Sequence, residues 1–269
     1  MLALSQKAKG FTLIELVTVI VILGIVATSI TTFLRFGTQS YTDAADREEI
    51  IATARFAIER LNREIRAALP NSIRTIGQNN QCLEFTPILQ SAIYLDIPVA
   101  PESASNIINV LMLDEAITST NKYVSVYALN SDDVYDKTAG VIEEYSTLNN
   151  SGDKQTPSII NFASAILFKA ESPTSRLYFI DRPVSYCVEG NSLYRYQGYT
   201  GYNAADLPLG SGVTMADFLD NFSDSGNIIP FQALPATLQR NAMAIIKLKF
   251  LRNLETIIFS HEIQVPNVP

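Results

Sequence analysis

The chain has 269 residues, of which 47% are hydrophobic and 17% charged, and its formal net charge is −7. This length allows one or two domains with a sizeable core. An acidic chain is a poor general ligand for nucleic acid, because phosphate binding needs clustered lysines and arginines, so no nucleic-acid partner is expected. One histidine and two cysteines exclude most His/Cys metal sites and most histidine-based catalytic groups.

Residues 11–34 form an apolar run with one charged residue, Glu15. At about 1.5 Å rise per residue, a helix of this length crosses a hydrocarbon core of roughly 30 Å. Lys7 and Lys9 precede the run and favour a cytoplasmic N-terminus with the rest of the chain exported. A secretory signal peptide would have a shorter apolar region followed by a small-residue cleavage site. A plain membrane anchor leaves Glu15 unexplained, because an unpaired carboxylate near lipid is costly.

The motif Gly10-Phe11-Thr12-Leu13-Ile14-Glu15-Leu16 resembles the processing motif of type IV pilins and type II secretion pseudopilins. The resemblance implies that a prepilin peptidase cuts between Gly10 and Phe11 and methylates Phe11. It also implies that Glu15 pairs with the N-terminal amine of a neighbouring subunit during filament assembly. The expected partners are therefore the prepilin peptidase and other major and minor pilins, which bind through the N-terminal helix. Before assembly the protein would be a single-pass inner-membrane protein with a periplasmic head, and afterwards part of a pilus filament or its tip.

Residues 38–69 continue this segment without glycine or proline, and apolar residues recur at steps of three and four. The repeating residues are Ile50, Ala54, Ala57 or Ile58, Leu61, Ile65 and Ala68. This spacing predicts a helix that buries one stripe. The opposite face carries the i,i+4 pairs Arg55/Glu59, Glu59/Arg63 and Arg60/Glu64, which we interpret as a solvated face. Pro70 disfavours helix at the preceding residue, so one helix is expected over residues 11–69.

Two residues bear on whether this helix is interrupted. Major pilins often carry a proline in the second half of the apolar segment, and Thr32 stands at the matching position here. Gly24 remains as a weak point, because glycine is a poor helix former, or as a small residue for close helix packing.

The expected divisions of the chain are a cleaved leader at 1–10, a transmembrane half of the helix at 11–34, an amphipathic half at 35–69 and a β-rich head at 70–269.

The head shows short β-like runs separated by turn signals. The predicted strands are 123–129, 159–168, 176–180, 184–188 and 192–196, with a hairpin turn at Glu189-Gly190-Asn191. Alternation at 246–250 and a turn at 252–255 predict a final hairpin ending near 265. Loops rich in Asn, Ser, Asp and Gly are expected at about 98–121, 130–157 and 200–240. The predicted fold class is α+β and pilin-like, with a long N-terminal helix packed on a mainly antiparallel sheet.

Residues 181–190 with 193–196, and the ending 261–269, resemble the minor pilin-like proteins of mannose-sensitive haemagglutinin (MSHA) pilus biogenesis. The J-type minor pseudopilins of type II secretion are more distant relatives. This resemblance implies a low-abundance subunit that helps to start or cap a filament.

Cys82 and Cys187 are the only cysteines. In an oxidising periplasm a disulfide between them is the expected state, and two buried free thiols are the alternative. Such a bridge would tie the chain after the helix to a central strand and typically stabilises by about 2–4 kcal/mol.

Other residues that carry chemistry have simpler explanations. His261 lies in an alternating strand without a nucleophile-elbow motif in the chain, so we interpret it as a structural or surface histidine. Two acidic groups offer oxygens without EF-hand spacing, so solvated loops are expected rather than a calcium site. The first is Asn130, Ser131, Asp132, Asp133 and Asp136, and the second is Asp217, Asp220 and Asp224. No metal and no other cofactor is expected.

The leading hypothesis is a non-enzymatic minor pilin acting in filament initiation or near the tip. The alternatives are a minor pseudopilin of a secretion system and a tip adhesin. Tyr194, Tyr196, Tyr199 and Tyr202 give the adhesin some support, since exposed aromatic rings stack on sugars, but packing in a strand and the following loop is the favoured explanation. A membrane-anchored hydrolase is disfavoured because the sequence lacks a catalytic constellation.

Overall fold

A computed structural model describes residues 10–112, 122–152, 155–199, 210–223, 226–236, 240–253 and 255–265. The chain divides into two compact units, Met1–Glu49 and Ile50–Pro269. The first unit contains the start of a long helix, and the second contains the end of this helix and a β-rich head. Apart from Gly10, the leader expected at 1–10 lies outside the described residues.

Helix α1 spans Leu13–Arg66 without a break at Gly24. Thr32 maintains the helix where major pilins often have proline, and its hydroxyl donates to the carbonyl of Thr28 at 3.0 Å. The helix ends before the expected Leu69. Residues 67–69 lie beside residues 86–88 instead of continuing the helix. The backbone N–H of Leu69 donates to the carbonyl of Thr86 at 2.8 Å, and Ala68 is paired with Pro87.

The predicted apolar stripe of α1 is confirmed. Its members are almost completely buried: Ile50, Ala54, Ala57, Leu61, Ile65 and Ala68. They form one core with inward side chains from two open sheets, including Phe85, Tyr186 and Phe250. The second half of the helix is therefore stabilised by burial of one face rather than by helix propensity alone.

We expect Leu61→Ala to destabilise the head by about 2–5 kcal/mol, because Leu61 is fully buried and its removal leaves a cavity. Denaturant unfolding of the full chain in detergent, monitored by tyrosine fluorescence, measures the change in the free energy of unfolding. Phe56→Ala is the matched control, since Phe56 is 56% exposed on the same helix. Its free energy of unfolding should change by less than about 0.5 kcal/mol. Equal losses in the two variants would contradict the assigned face.

Among its described residues, the head contains β-strands and one short helix, α2 (Ser131–Tyr135). In chain order the strands are β1 (Arg74–Ile76), β2 (Cys82–Phe85), β3 (Ile88–Asp96), β4 (Ser105–Met112), β5 (Tyr123–Ser125), β6 (Ile142–Asn149), β7 (Ser158–Ile166), β8 (Arg176–Ile180), β9 (Val184–Glu189), β10 (Ser192–Gln197), β11 (Val213–Ala216), β12 (Phe222–Ser223), β13 (Gly226–Asn227), β14 (Phe231–Leu234), β15 (Ala242–Arg252) and β16 (Glu255–Val265). Single 3₁₀ turns lie at Gln78–Asn80 and Lys137–Ala139.

These strands form two open sheets, a closed barrel and a small hairpin. One sheet has the order β1-β2-β9-β10-β11, and the other has the order β14-β15-β16. The barrel closes in the order β3-β4-β7-β6-β5-β8, and β12 pairs with β13. All these strand pairs are antiparallel. The α+β class with a long N-terminal helix and a mainly antiparallel head is therefore confirmed.

The two predicted hairpins are also present. β9 and β10 pair from Glu189↔Ser192 onward, with Gly190 at φ 57°, a left-handed conformation that suits glycine in a two-residue turn. β15 and β16 pair over their whole length, starting at Arg252↔Glu255.

The elements found in the three expected loop ranges correct the loop predictions. The ranges 98–121 and 130–157 contain β4, α2 and β6, and 200–240 contains β11 to β14. Asn109 and Asn149 are exposed on the barrel strands β4 and β6. The polar residues that indicated loops therefore lie on the outer face of the barrel. The predicted strand 123–129 stops at Ser125, since Tyr127 adopts φ 54°, outside the β region.

The helix and the first sheet share a cluster of charged side chains. The Glu64 carboxylate accepts from Nε of Arg60 and from Nε of Arg195 on β10, each at 3.0 Å. Glu64 and Arg195 are mostly buried, so this pair lies in the seam between helix and sheet. The interpretation of Arg60/Glu64 as part of a solvated face is therefore wrong, because helix periodicity does not reveal a partner 131 residues away in the chain.

Candidate functional site

The start of α1 carries the residues of the processing motif. Thr12 precedes the first helical residue, and its hydroxyl accepts from the backbone N–H of Glu15 at 3.4 Å. In return, the Glu15 carboxylate accepts from the backbone N–H of Thr12 at 3.4 Å and from its hydroxyl at 3.3 Å. This reciprocal arrangement is a capping box: the Glu15 carboxylate gives the Thr12 N–H an acceptor, and the Glu15 N–H donates both to the Thr12 hydroxyl and, at 3.1 Å, to the Thr12 carbonyl. The Thr-x-x-Glu spacing was visible in the sequence, and the capping role was missed there.

The apolar part of α1 offers an unbroken hydrophobic surface. Phe11 is 77% exposed and Leu13 82% exposed, and large aliphatic side chains remain exposed along the segment up to Leu34. Among the described residues, α1 is the one helix that is long and apolar enough to cross a membrane, judged by length and composition. Such a surface in water would be unfavourable, which fits membrane anchoring.

Hydroxyl groups within this segment bond back to the helix. The residues that donate to carbonyls three or four positions earlier are Thr18, Thr28, Ser29, Thr31 and Thr32. Because these hydroxyls already have acceptors, they can enter an apolar environment without leaving a donor unpaired.

The two cysteines lie directly opposite each other on β2 and β9. Cys82 and Cys187 form a disulfide with an S–S distance of 2.02 Å and a Cα–Cα distance of 4.0 Å. Both residues are fully buried, and Ile76 and Tyr196 pack against them. The bridged cysteines are 105 residues apart in the chain. The disulfide therefore closes a long loop, from β2 to β9, in the unfolded protein.

A buried carboxylate lies on the same face of this sheet, two residues after Cys82. Glu84 is 1% exposed and accepts from Nε of Arg74 at 2.5 Å and from the hydroxyl of Tyr199 at 2.6 Å. Ser185 hydrogen-bonds to the same tyrosine hydroxyl, and the Arg74 guanidinium lies 3.6 Å from the ring centre of Tyr135. This network joins β1, β2, β9, α2 and the chain after β10.

Burial raises the pKa of the Glu84 carboxyl above its ordinary value, although Arg74 and Tyr199 oppose part of the shift. The folded protein therefore holds this proton more tightly than the unfolded chain does. It follows that Glu84 lowers the free energy of unfolding as pH rises from the ordinary glutamate pKa through the raised one.

Glu84→Gln removes this titration. We expect wild type to lose stability relative to this variant as pH rises through that range, and the difference to level off above it. Denaturant unfolding of both proteins at several pH values measures the effect. Glu262→Gln, at an exposed carboxyl on β16, controls for the loss of one charge. A wild-type advantage that grows with pH would contradict the assignment.

The tyrosine-rich stretch is largely occupied by packing. Tyr196 donates to the Glu189 carboxylate at 2.9 Å, and Tyr199 donates to Glu84. The ring of Tyr194 lies 6.4 Å from that of Tyr196. Tyr202 lies outside the described residues. The two bonded hydroxyls support the interpretation of these residues as strand packing.

The first acidic group is used for helix capping. Asn130 accepts from the backbone N–H of Asp133 at 2.9 Å, and Asp136 accepts from that of Thr138 at 2.8 Å. Lys169 binds the Asp133 carboxylate at 2.6 Å. These oxygens have protein donors, which explains the cluster without a metal ion.

The second acidic group is also bonded within the head. Asp217 accepts from the Ser192 hydroxyl at 2.6 Å, and Asp220 pairs with Lys249 at 2.6 Å. Asp224 lies outside the described residues. Within the described part of the chain, no group of three or more His, Cys, Asp or Glu side chains is arranged to hold a metal ion.

His261 lies on β16 opposite Ile246 of β15, which belongs to the core of the two open sheets. The alternation of the strand puts it on the same face as Phe259 and Ile263. Its partial burial there fits a structural role.

The comparisons with known proteins bear on the N-terminus. Residues 5–31 match the family model described as "Prokaryotic N-terminal methylation motif". A comparison with curated proteins and a comparison with solved structures each found no match.

The methylation motif, the long apolar helix and the antiparallel head together support a type IV pilin-like or pseudopilin protein. The motif implies processing by a prepilin peptidase and assembly with other pilins. It suggests a structural subunit rather than an enzyme.

Proposed function

We propose that the protein is a minor pilin-like structural subunit of an MSHA-like type IV pilus, of the kind represented by MSHA pilus biogenesis protein O. It acts in filament initiation or near the tip. The observation that carries the proposal is the methylation motif at the start of an exposed apolar helix, which is followed in the chain by a large β-rich head. The resemblance of the head at residues 181–190 with 193–196, and at the ending 261–269, supports the narrower assignment.

In this proposal the peptidase cuts after Gly10 and methylates Phe11, and the apolar half of α1 then moves from the membrane into a bundle of sister helices. Glu15 provides the fixed charge in that bundle. Two opposite charges in a low-dielectric environment attract strongly, while either charge alone is costly, so the pairing sets register. A subunit at the very tip has no neighbour above it for this pairing, which favours a place just below a capping partner.

Mass spectrometry of the mature protein tests the processing step. The expected N-terminus is N-methylphenylalanine at position 11. An intact Met1, or a cut elsewhere than after Gly10, would overturn the proposal.

A deletion strain distinguishes the proposed pilus from a secretion system. Loss of pili with normal secretion supports the minor pilin, and loss of secretion with normal pili supports a minor pseudopilin. A third candidate, a tip adhesin, is tested by glycan binding to the full chain. The hydrogen bonds of Tyr196 and Tyr199 within the head weaken the aromatic argument for this candidate.

A further inference from the structure

A cleft of about 460 Å³ lies on the solvent-facing side of β14 and β15. Ile245 and Lys247 alternate with the buried Ala244, Ile246 and Leu248, so they stand on the face of β15 opposite the core. This volume falls within the range of small-ligand sites.

The lining of the cleft has a distinct composition. The described lining contains the carboxamides of Asn80, Asn227 and Gln232 and the aliphatic side chains of Ile228, Ile229 and Ile245. Among the described residues that line the cleft, Lys247 is the one with a charge, although the whole chain carries a net charge of −7. The cleft therefore favours an anionic ligand that also has hydrogen-bonding and aliphatic parts.

The rim at Asn80 is held in an uncommon backbone conformation. Asn79 and Asn80 are consecutive residues with φ of 52° and 51°, in the left-handed region that non-glycine residues rarely adopt. The strain is retained because β1 and β2 pair on both sides of this turn. The paired strands thus hold the backbone of Asn80 in place beside the cleft.

We propose that this cleft binds an extended peptide segment of another protein that presents an acidic side chain to Lys247. A carboxamide has both a donor and an acceptor, so three of them match the alternating N–H and C=O groups of an extended backbone. The three isoleucines offer apolar contacts to the aliphatic side chains. A peptide fits better than a sugar, because the described lining residues include no aromatic ring for stacking. The inference concerns the head alone and stands whether or not the chain enters a pilus.

Isoleucine methyl NMR of the full chain in detergent micelles tests the proposal. Ile228→Val, Ile229→Val and Ile245→Val assign the signals. The probes are acetyl-Val-Asp-Val-amide, its Lys counterpart acetyl-Val-Lys-Val-amide, and glucuronate. We expect the Asp peptide to shift the three assigned methyl signals and the Lys peptide to leave them in place. Equal shifts with both peptides, larger shifts with glucuronate, or no shift with the Asp peptide would each overturn the proposal.

A charge-removing pair of variants tests the role of Lys247. Lys247→Gln should weaken the Kd of the Asp peptide roughly two- to five-fold, as expected for one exposed ion pair. Lys137→Gln makes the same change at an exposed lysine outside the cleft and should leave the Kd unchanged. Equal Kd values in the two variants would show that Lys247 does not recognise the carboxylate.

Discussion

Replacing Glu15 with alanine should strongly reduce incorporation of the protein into filaments while leaving cleavage after Gly10 intact. The substitution removes the charge that is proposed to pair with a neighbouring subunit's N-terminal amine. A carboxylate among lipid-facing or bundle-facing side chains is expensive unless it has such a partner. Comparison of the protein in sheared filaments with that in membranes, together with the mass of its N-terminus, measures both steps. Normal filament content in this variant would contradict the assembly role.

The capping box provides the matched control. Glu15 also accepts from Thr12, and loss of a capping interaction by itself destabilises a helix start by about 1 kcal/mol. Thr12→Ala removes much of the cap and keeps the carboxylate. We therefore expect Thr12→Ala to assemble far better than Glu15→Ala, and Glu15→Gln to fail like the alanine variant. If Thr12→Ala and Glu15→Ala were equally impaired, capping rather than charge pairing would explain the defect.

Removing the disulfide should lower the free energy of unfolding of the head by about 2–4 kcal/mol. The double variant Cys82→Ser, Cys187→Ser removes the cross-link between residues 105 positions apart, so the unfolded chain gains conformational freedom. It also places two hydroxyls in a fully buried site. Denaturant unfolding of the full chain in detergent measures the change through tyrosine fluorescence.

Wild type treated with a thiol reductant is the control for this prediction. The reductant should shift the unfolding midpoint of wild type towards that of the double variant and leave the double variant unchanged. Alkylation under denaturing conditions without reductant should label no cysteine in wild type. Free thiols in oxidised wild type would contradict the assigned bridge. Equal unfolding midpoints for oxidised wild type and the double variant would contradict it as well.

Local sequence patterns predicted the parts of the fold that depend on near neighbours. The apolar stripe from Ile50 to Ala68 followed from helix periodicity, and the structure buries these residues. The turn at Gly190 followed from residue preferences in two-residue hairpins. Both patterns repeat within a few residues, so the sequence displays them directly.

Patterns that depend on distant partners were not predictable in this way. β4 and β6 fell within expected loops, since their asparagines and serines resemble turn residues until closure of the barrel gives them an outer face. Glu64 had a local partner in Arg60, and only the folded sheet supplied Arg195. The same holds for Glu84, whose partners Arg74 and Tyr199 come from different strands and loops.

The sequence by itself determined the chemistry of the N-terminus: the motif at Gly10 to Leu16, the apolar segment and the amphipathic continuation of the helix. These features are encoded by contiguous residues and one repeating interval. The tertiary structure alone decided that the tyrosines after β9 pack around a disulfide and a buried carboxylate, and that a lysine and three carboxamides meet in one cleft. Such sites form when antiparallel pairing brings distant segments together, and pairing register is set by the whole core rather than by any one segment.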